Sequence, residues 1–392
     1  MTPEALRALF PALRAQAYLN AAASSPLATP VVEAAVAQLR DAEAHGDAHF
    51  LRWLAFKEEL RGRLARFLGA APRQLAFTPS TSMSFCAVAE LLWRRGVREV
   101  LTFEGEFPST TVPLLRRGLA LRVVKPRADG SYPLDDVERA LAPGVGAVAV
   151  SVVQYASGFL TDAEGLSALC RARGLPLALN GAQAVGQVPV DVGAVGADFL
   201  CATSHKWLMG GHGTGLLYVK AGWLEELGLP WAGWFSPPDE LRWQTFPGSA
   251  TAPAEGGFTG SGVTTRREAA ALEAGGGNWA ALYGLGAGLG LHEAVGITVT
   301  RAHILGLQAQ LRAGLRARGF VPNAPDDAAR GSGICVVPVR GDALSAVRAL
   351  LGEGVAVTPR GGGVRLSTHV FNDAEDVARA LAAIDRLGLK PG

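Results

Sequence analysis

Seven short apolar segments, separated by helical patterns, constrain the fold of this chain more than any other feature. Each is a short and mostly apolar run, which predicts a β-strand buried in a sheet. The candidate strands are residues 74–78, 99–103, 122–125, 147–153, 176–179, 199–202 and 215–218. Because continuous apolar strands alternate with helices, the pattern predicts an α/β fold with a largely parallel sheet buried on both faces.

The length of the chain predicts two domains. A chain of 392 residues exceeds the usual size of a single hydrophobic core. We expect a large domain at residues 15–262 and a smaller α+β domain formed by residues 263–392 together with residues 1–14. Residues 29–68 predict two helices with a break near residues 45–47, and residues 268–295 predict one long helix. Residues 222–262, rich in Trp, Pro and Gly, predict a long ordered loop.

Composition excludes several classes of protein. The net charge is +2 and the charges are scattered, so neither nucleic acid nor an anionic membrane is an expected partner. No apolar run is long enough to span a bilayer, and the first residues lack a signal-peptide pattern. The four cysteines lie far apart in apolar runs, which predicts buried, reduced thiols and a cytoplasmic protein.

Lys206 is the residue with the clearest chemical prediction. It lies near the end of the segment 198–207, where a buried strand leads into a glycine-rich turn at residues 210–215. Burial disfavours the charged ammonium, so a lysine in this place has a lowered pKa. A neutral lysine amine is a nucleophile that forms Schiff bases with carbonyl compounds.

Residues 203–206 (Thr-Ser-His-Lys), followed by the glycines and another strand, resemble the lysine motif of class-V aminotransferases. This family of pyridoxal-phosphate (PLP) enzymes includes cysteine desulfurases, selenocysteine lyase, kynureninase and isopenicillin N epimerase-like proteins. The resemblance implies PLP fold type I, with a mostly parallel seven-stranded sheet and a smaller C-terminal domain. It also implies PLP on Lys206, an α-amino acid substrate bound as a Schiff base, and a homodimer.

A group of hydroxyl residues predicts the phosphate site. Ser80, Thr81 and Ser82 follow a strand and begin a helix. Free N–H groups at a helix N-terminus bind anions, although such residues also serve simply as helix caps. By resemblance these three residues bind the phosphate of PLP, together with Thr203 and His205.

Three further residues match positions that contact the ring of PLP in the family. Phe107, in residues 104–109, matches the aromatic residue that stacks on the ring, and favours the kynureninase-like and epimerase-like members. Gln183 matches the glutamine that binds the phenolic oxygen. Asn180 stands where the family has an aspartate. A neutral amide cannot hold a proton on the ring nitrogen as a carboxylate does, so the ring should stabilise a carbanion less well.

Substrate and dimer contacts are also implied by resemblance. Arg365, in residues 363–372, matches the arginine that clamps the substrate α-carboxylate, as a bidentate guanidinium can. Asn20 is assigned to the substrate on the same basis. Gly276, in residues 273–278, stands where the family has a threonine that reaches the phosphate of the partner subunit. A homodimer with shared active sites follows.

The reaction itself stays open at this point. No cysteine follows Cys335, so the mobile-loop cysteine of desulfurases has no counterpart and persulfide formation is not expected. Aminotransfer, C–S lyase-type elimination and epimerisation remain, and the alternative is a non-catalytic or regulatory PLP-binding protein. His45 and His49 have a spacing that can hold a metal, but Gly46 weakens the helix between them. We expect no metal there and place them at the lip of the active site.

Overall fold

The structure is a computed structural model that describes residues 1–238, 264–325 and 327–392. Its strands, numbered in chain order, are β1 (Ala17–Tyr18), β2 (Leu75–Thr78), β3 (Glu99–Phe103), β4 (Ala120–Val124), β5 (Val145–Ser151), β6 (Leu177–Asn180), β7 (Phe199–Thr203), β8 (Gly215–Val219), β9 (Ile334–Pro338), β10 (Val355–Ala356), β11 (Thr358–Arg360) and β12 (Gly363–Ser367). Its α-helices are α1 (Pro3–Arg7), α2 (Thr29–His45), α3 (Phe50–Phe67), α4 (Thr81–Arg94), α5 (Pro108–Arg117), α6 (Leu134–Ala140), α7 (Ala163–Ala172), α8 (Val192–Val195), α9 (Trp223–Leu227), α10 (Trp279–Val295), α11 (Ile297–Arg316), α12 (Ala343–Gly352) and α13 (Ala374–Arg386).

A seven-stranded sheet forms the centre of the protein, in the order β2-β8-β7-β6-β5-β3-β4. Strand β8 pairs antiparallel with β2 and β7, whereas the other neighbours pair in parallel. All seven predicted strands are confirmed, with ends that differ by at most two residues. Every residue of β6, β7 and β8 is buried, as expected for strands covered on both faces.

The two helices predicted at residues 29–68 are confirmed, whereas the start of the helix predicted at residues 268–295 is wrong. Helices α2 and α3 break where expected, because Gly46 ends α2 with a positive φ of 58°. The long helix predicted for residues 268–295 begins only at Trp279, after a short 3-10 turn at Ala269–Leu272. Three consecutive glycines precede it, and the Asn278 side chain caps it by accepting from the N–H of Ala281.

The C-terminal third forms the alternation of helices and strands that its pattern predicts. Strands β11, β12 and β9 make an antiparallel sheet, while β1 pairs in parallel with β10. One hydrophobic cluster joins Ala17 and Leu19 to apolar residues of α11, α12, α13 and these strands. The division into domains at residues 15–262 and 263–392 stays a prediction.

The sheet brings several chain segments to one edge. Strands β3, β5, β6 and β7 are parallel to one another, and β2 is parallel to β7 because both are antiparallel to β8. The segments that follow β2, β3, β6 and β7 therefore meet at the carboxyl edge, where open α/β sheets bind ligands. The sequence had assigned candidate site residues to all four segments.

Candidate active site

A cavity of about 250 Å³ lies at this carboxyl edge and brings together most of the predicted site residues. The predicted residues that line it are Ser80, Thr81, Ser82, Phe107, Gln183, Thr203, His205, Lys206 and Arg365. One residue that the sequence did not single out, Arg360, lines it as well. Asn20, Asn180 and Gly276 do not border this cavity.

Lys206 enters the cavity from the turn after β7. The Ser204 hydroxyl fastens this turn, since it lies within hydrogen-bonding distance of the carbonyl oxygens of Gly211 (2.6 Å) and Thr214 (2.7 Å). The Lys206 Nζ lies 5.4 Å from the centre of the Phe107 ring. Burial, and after it the charges of Arg365 and Arg360, lowers the pKa of Lys206 to about 8. A substantial fraction of this amine is therefore a neutral nucleophile near physiological pH.

Ser80, Thr81 and Ser82 form the start of α4. Ser80 is the helix cap, and its Oγ accepts from the N–H of Met83. The Thr81 hydroxyl donates to the carbonyl of Ala202, which ties the helix start to β7. The start of this 14-residue helix lines the cavity, and the helix dipole favours an anion at that end.

Thr203, the last residue of β7, and His205, two residues later, line the same cavity. Thr203 Oγ1 and His205 Nδ1 are 2.8 Å apart, and the His205 ring stacks on the ring of His212 at a centroid distance of 4.1 Å. Burial, followed by the charges of His212 and Lys206, lowers the pKa of His205 to about 4. His205 is therefore a neutral hydrogen-bonding group at neutral pH.

Gln183 and Phe107 are held in place by contacts with neighbouring residues. Gln183 donates from Nε2 to the carbonyl of Ala22 (2.9 Å) and accepts at Oε1 from the Trp207 indole (2.7 Å). Phe107 meets the ring of Tyr155 edge-on at 5.3 Å between centroids. Both side chains are thus oriented before any ligand binds.

Asn180 lies buried behind the cavity at the end of β6. Its Nδ2 donates to Thr110 Oγ1 (2.8 Å), and its Oδ1 accepts from the N–H of Ala182 (2.9 Å). Thr110 is in turn 3.5 Å from the carboxyl group of Glu106. The amide of Asn180 is therefore part of a buried polar network.

Glu106 is the acid of this network, and sequence reasoning missed it. Its carboxyl accepts from the N–H and hydroxyl of Ser151 and from the Gln154 amide. Burial raises the pKa of Glu106, although these hydrogen bonds act in the opposite direction. A signal was present, because Glu106 directly precedes Phe107 in a motif that was examined only for its aromatic residue.

Arg365 is a buried cation in the lining of the same cavity. It lies on β12, is 2% exposed, and donates from Nη1 to the carbonyl of Tyr155 at 3.3 Å. Its Nε is buried and has no hydrogen-bond partner within residues 1–238, 264–325 and 327–392. Burial, and after it Arg360, lowers the pKa of Arg365 to about 10. A buried guanidinium with an unused donor is suited to an anionic ligand.

Two predicted residues lie near the site without lining it. Asn20 forms a β-bridge with Ser367, the last residue of β12, and its Oδ1 is buried with no partner in the described part of the chain. Gly276 lies on the loop between Glu273 and Asn278. The loop borders a separate cavity of about 510 Å³, which includes its neighbours Gly275 and Gly277.

The His45–His49 pair does not border the cavity of Lys206 in this chain. Both imidazoles contact Asp41, with His49 Nδ1 at 2.7 Å and His45 Nδ1 at 3.3 Å from its Oδ1. The three side chains are close enough to hold a metal ion, but the same carboxylate is paired with Arg52 at 2.6 Å. The place at the lip of the active site, expected from sequence, is therefore wrong for this single chain.

The cysteines and the aromatic loop differ in part from expectation. Cys170, Cys201 and Cys335 are buried as predicted, but Cys86 is exposed. The prediction for Cys86 is wrong because it lies on the outer side of α4, between the buried residues Phe85 and Ala87. Of the loop predicted at residues 222–262, residues Trp223–Leu227 instead form helix α9, and residues 239–262 lie outside the described residues. No helix in the described part of the chain is long and apolar enough to cross a membrane.

Solved structures share this fold. The apo structure of cysteine desulfurase from Thermococcus onnurineus NA1 has a TM-score of 0.86 at 24% sequence identity, and covers 99% of this chain and 98% of its own. The cystine C–S lyase C-DES, in complex with its reaction product cysteine persulfide, has a TM-score of 0.81 at 21% identity, over 95% and 98% of the two chains. The architecture is therefore that of the PLP enzymes of fold type I.

Sequence relatives define the family. The model of the aminotransferase class-V family matches residues 17–236 and 244–380. The uncharacterized aminotransferase YcbU of Bacillus subtilis (strain 168) is 26% identical over 97% of both chains. A probable cysteine desulfurase of Methanothermobacter thermautotrophicus is 29% identical over 96% of both. The chain belongs to the class-V aminotransferase family, and it is a PLP-dependent enzyme.

The side chains present fit this cofactor. A lysine of lowered pKa, the N-terminus of α4 and the exposed face of Phe107 surround one cavity. They offer, respectively, an amine for the PLP aldehyde, donors for its phosphate and an aromatic face for its ring.

Proposed function

We propose that this enzyme uses PLP to eliminate a group from Cβ of an α-amino acid, as a C–S lyase does, rather than to transfer the amino group. The observation that carries the proposal is the neutral Asn180 at the end of β6, tied to Thr110 and to the N–H of Ala182. Glu106, the acid nearest in this network, contacts Thr110 and not Asn180.

Asn180 affects how strongly the PLP ring stabilises a negative charge at Cα of the substrate. PLP, when bound, supplies a conjugated ring that withdraws electrons from Cα of the substrate. A carboxylate beside the ring nitrogen would strengthen this withdrawal by keeping the nitrogen protonated, and an amide does so less. Elimination needs the least from the ring, because the charge passes on to the leaving group at Cβ. Aminotransfer requires the ring to hold the charge for longer.

Lys206 and Arg365 carry the chemical step in this proposal. With PLP bound, Lys206 would hold the cofactor aldehyde through Nζ, and the same Nζ, once free, would take the proton from Cα of the substrate. The lowered pKa of Lys206 suits it to this role as a base. Arg365 holds the α-carboxylate, which orients the Cα–H bond toward Lys206. The electron pair of the Cα–H bond becomes the second bond between Cα and Cβ, while the Cβ–S bond breaks and its electron pair leaves with the thiolate. Water then hydrolyses the released enamine to pyruvate and ammonia.

The remaining assignments concern cofactor and substrate binding. Ser80, Thr81, Ser82, Thr203 and His205 bind the phosphate, as their positions at the start of α4 and the end of β7 support. We also propose that Phe107 stacks on the ring and that Gln183 contacts the phenolic oxygen. Asn20 contacts the substrate through its Oδ1, which has no partner among the described residues. In a homodimer the backbone N–H of Gly276, which lacks the threonine hydroxyl, donates to the phosphate bound in the partner subunit.

Formation of a protein persulfide is not part of the proposal, although several relatives are cysteine desulfurases. Burial raises the pKa of Cys335 to about 12, and this side chain is 0% exposed. A thiol of this kind is a poor nucleophile. No cysteine lines the cavity of Lys206 among the described residues.

Product analysis with S-substituted L-cysteines tests the proposal. We expect the purified PLP-loaded enzyme to release pyruvate and ammonia in equal amounts, at a rate that is independent of an added keto acid. Lys206→Ala should abolish release, and Lys206→Arg should do the same while keeping the positive charge.

Four other results would overturn this assignment. A requirement for the keto acid would identify an aminotransferase, and appearance of the D-isomer would identify an epimerase. Alanine together with a protein-bound persulfide would identify a desulfurase. Retention of PLP without turnover of any amino acid would favour the non-catalytic alternative.

A further inference from the structure

Arg360 is placed beside Arg365 by a tight β-hairpin. Strand β11 ends at Arg360, and β12 begins at Gly363 after Gly361 and Gly362, which both have positive φ (56° and 75°). Two residues of this conformation form the short turn that suits the twist of a hairpin. The turn is two residues long, so the positions of the flanking residues are well defined.

The register of the hairpin puts the two arginines on one face. Thr358 is paired with Arg365, and Arg360 is paired with Gly363. Residues two apart on a strand share a face, so Arg360 and Arg365 are diagonal neighbours, with about 7–8 Å between such positions. Both line the cavity that contains Lys206.

No carboxylate among the described residues pairs with Arg360. Its Nη1 donates to the carbonyl of the adjacent Pro359 at 3.1 Å, and within residues 1–238, 264–325 and 327–392 it forms no ion pair. The cavity is lined by Lys206, Arg360 and Arg365 and, in the part of the chain described, by no Asp or Glu. In the proposed function Lys206 binds PLP and Arg365 binds the α-carboxylate. One cation is left over.

We propose that Arg360 binds a second anionic group at the end of the substrate side chain, so that the enzyme prefers amino acids with an acidic side chain. This inference rests on the proposed function for the role of Arg365, but not on the reaction that follows. Recognition of an anion by a guanidinium is strong in a partly buried site, and Arg360 is half-buried.

Two pairs of matched ligands test the inference. S-Carboxymethyl-L-cysteine and S-carbamoylmethyl-L-cysteine differ by an acid against an amide of similar shape, and both carry a leaving thiolate on Cβ. L-Aspartate and L-asparagine differ in the same way and can be compared by calorimetric dissociation constants. For the PLP-loaded enzyme we expect the acid of each pair to be favoured about 10- to 100-fold, in kcat/KM or in affinity.

Arg360→Gln should remove most of this preference, and Arg360→Lys should keep part of it. Arg365→Gln should instead weaken both members of each pair, because all four ligands have an α-carboxylate. Arg348→Gln, which removes an exposed charge on α12, is the matched control and should leave the ratios unchanged.

The outcomes separate this inference from the proposed function. If no pyruvate forms but Arg360→Gln abolishes the preference for aspartate, elimination is wrong and the assignment of Arg360 stands. An unchanged preference in Arg360→Gln would overturn the assignment. So would loss of PLP from Arg360→Gln, since Arg360 would then hold the cofactor and not the substrate.

Discussion

The lowered pKa of Lys206 has a measurable consequence for binding of PLP. The covalent step needs the neutral amine. With a pKa of about 8, roughly one amine in ten is neutral at pH 7, whereas with the ordinary value of 10.5 the fraction is smaller by about 300-fold. The rate of covalent PLP uptake by the apoenzyme should therefore rise with pH and level off above pH 8.

The causes of the lowered pKa of Lys206 predict which substitutions should change it. Burial is the largest cause, followed by Arg365 and then Arg360. Arg365→Gln removes a nearby positive charge, which makes protonation of Lys206 easier and raises its pKa. The midpoint of the rate profile should therefore move to higher pH, and Arg360→Gln should move it in the same direction but by less.

Stopped-flow absorbance of PLP uptake, between about pH 6.5 and about pH 10, is the assay. Lys206→Ala, which lacks the covalent step, supplies the baseline, and Arg348→Gln controls for a general change of charge. A wild-type rate that keeps rising up to about pH 10, without levelling off, would refute the claim that burial lowers this pKa. A midpoint that Arg365→Gln leaves in place would refute the electrostatic part.

Two other substitutions test the buried polar groups. Asn180→Asp should increase aminotransfer relative to elimination, by roughly tenfold for each pKa unit that the ring nitrogen gains, measured as the ratio of the two products. An unchanged ratio would mean that Asn180 is not the partner of that nitrogen. Glu273→Gln should lower the free energy of unfolding by about 3–5 kcal/mol in urea titrations, because it leaves Lys57 and Arg61, both nearly fully buried, without their shared carboxylate. Glu293→Gln, which breaks the exposed pair with Arg63, should cost less than about 1 kcal/mol, and equal losses in the two variants would contradict this account.

The seven strands of the central sheet could be predicted from local sequence because burial on both faces leaves a continuous apolar pattern in each. The start of α10 could not be placed, because apolar residues extend upstream of it. Whether Ala269–Leu272 joins that helix depends on Gly275, Gly276 and Gly277, and on the tertiary pairing of Glu273 with Lys57 and Arg61.

The candidate site divides in the same way. Lys206 was identifiable because its chemistry follows from a local pattern, a lysine between a buried strand and a glycine-rich turn. Arg360 was not, because an arginine before glycines is an ordinary surface residue until a hairpin register sets it beside Arg365. Glu106 could be recognised as a buried acid only from the structure, where Ser151 and Gln154, both distant in sequence, donate to its carboxyl group.

By itself, then, the sequence determined the strands, the reactive lysine, the family motifs and the substitution at Asn180, because each depends on neighbouring residues. Tertiary structure alone decided the strand order, the polar network behind Asn180 and the set of three cations in one cavity. These depend on which distant segments meet at the carboxyl edge of the sheet. Packing and hydrogen bonds between segments govern such pairing, and these contacts cannot be predicted from the sequence of one segment alone.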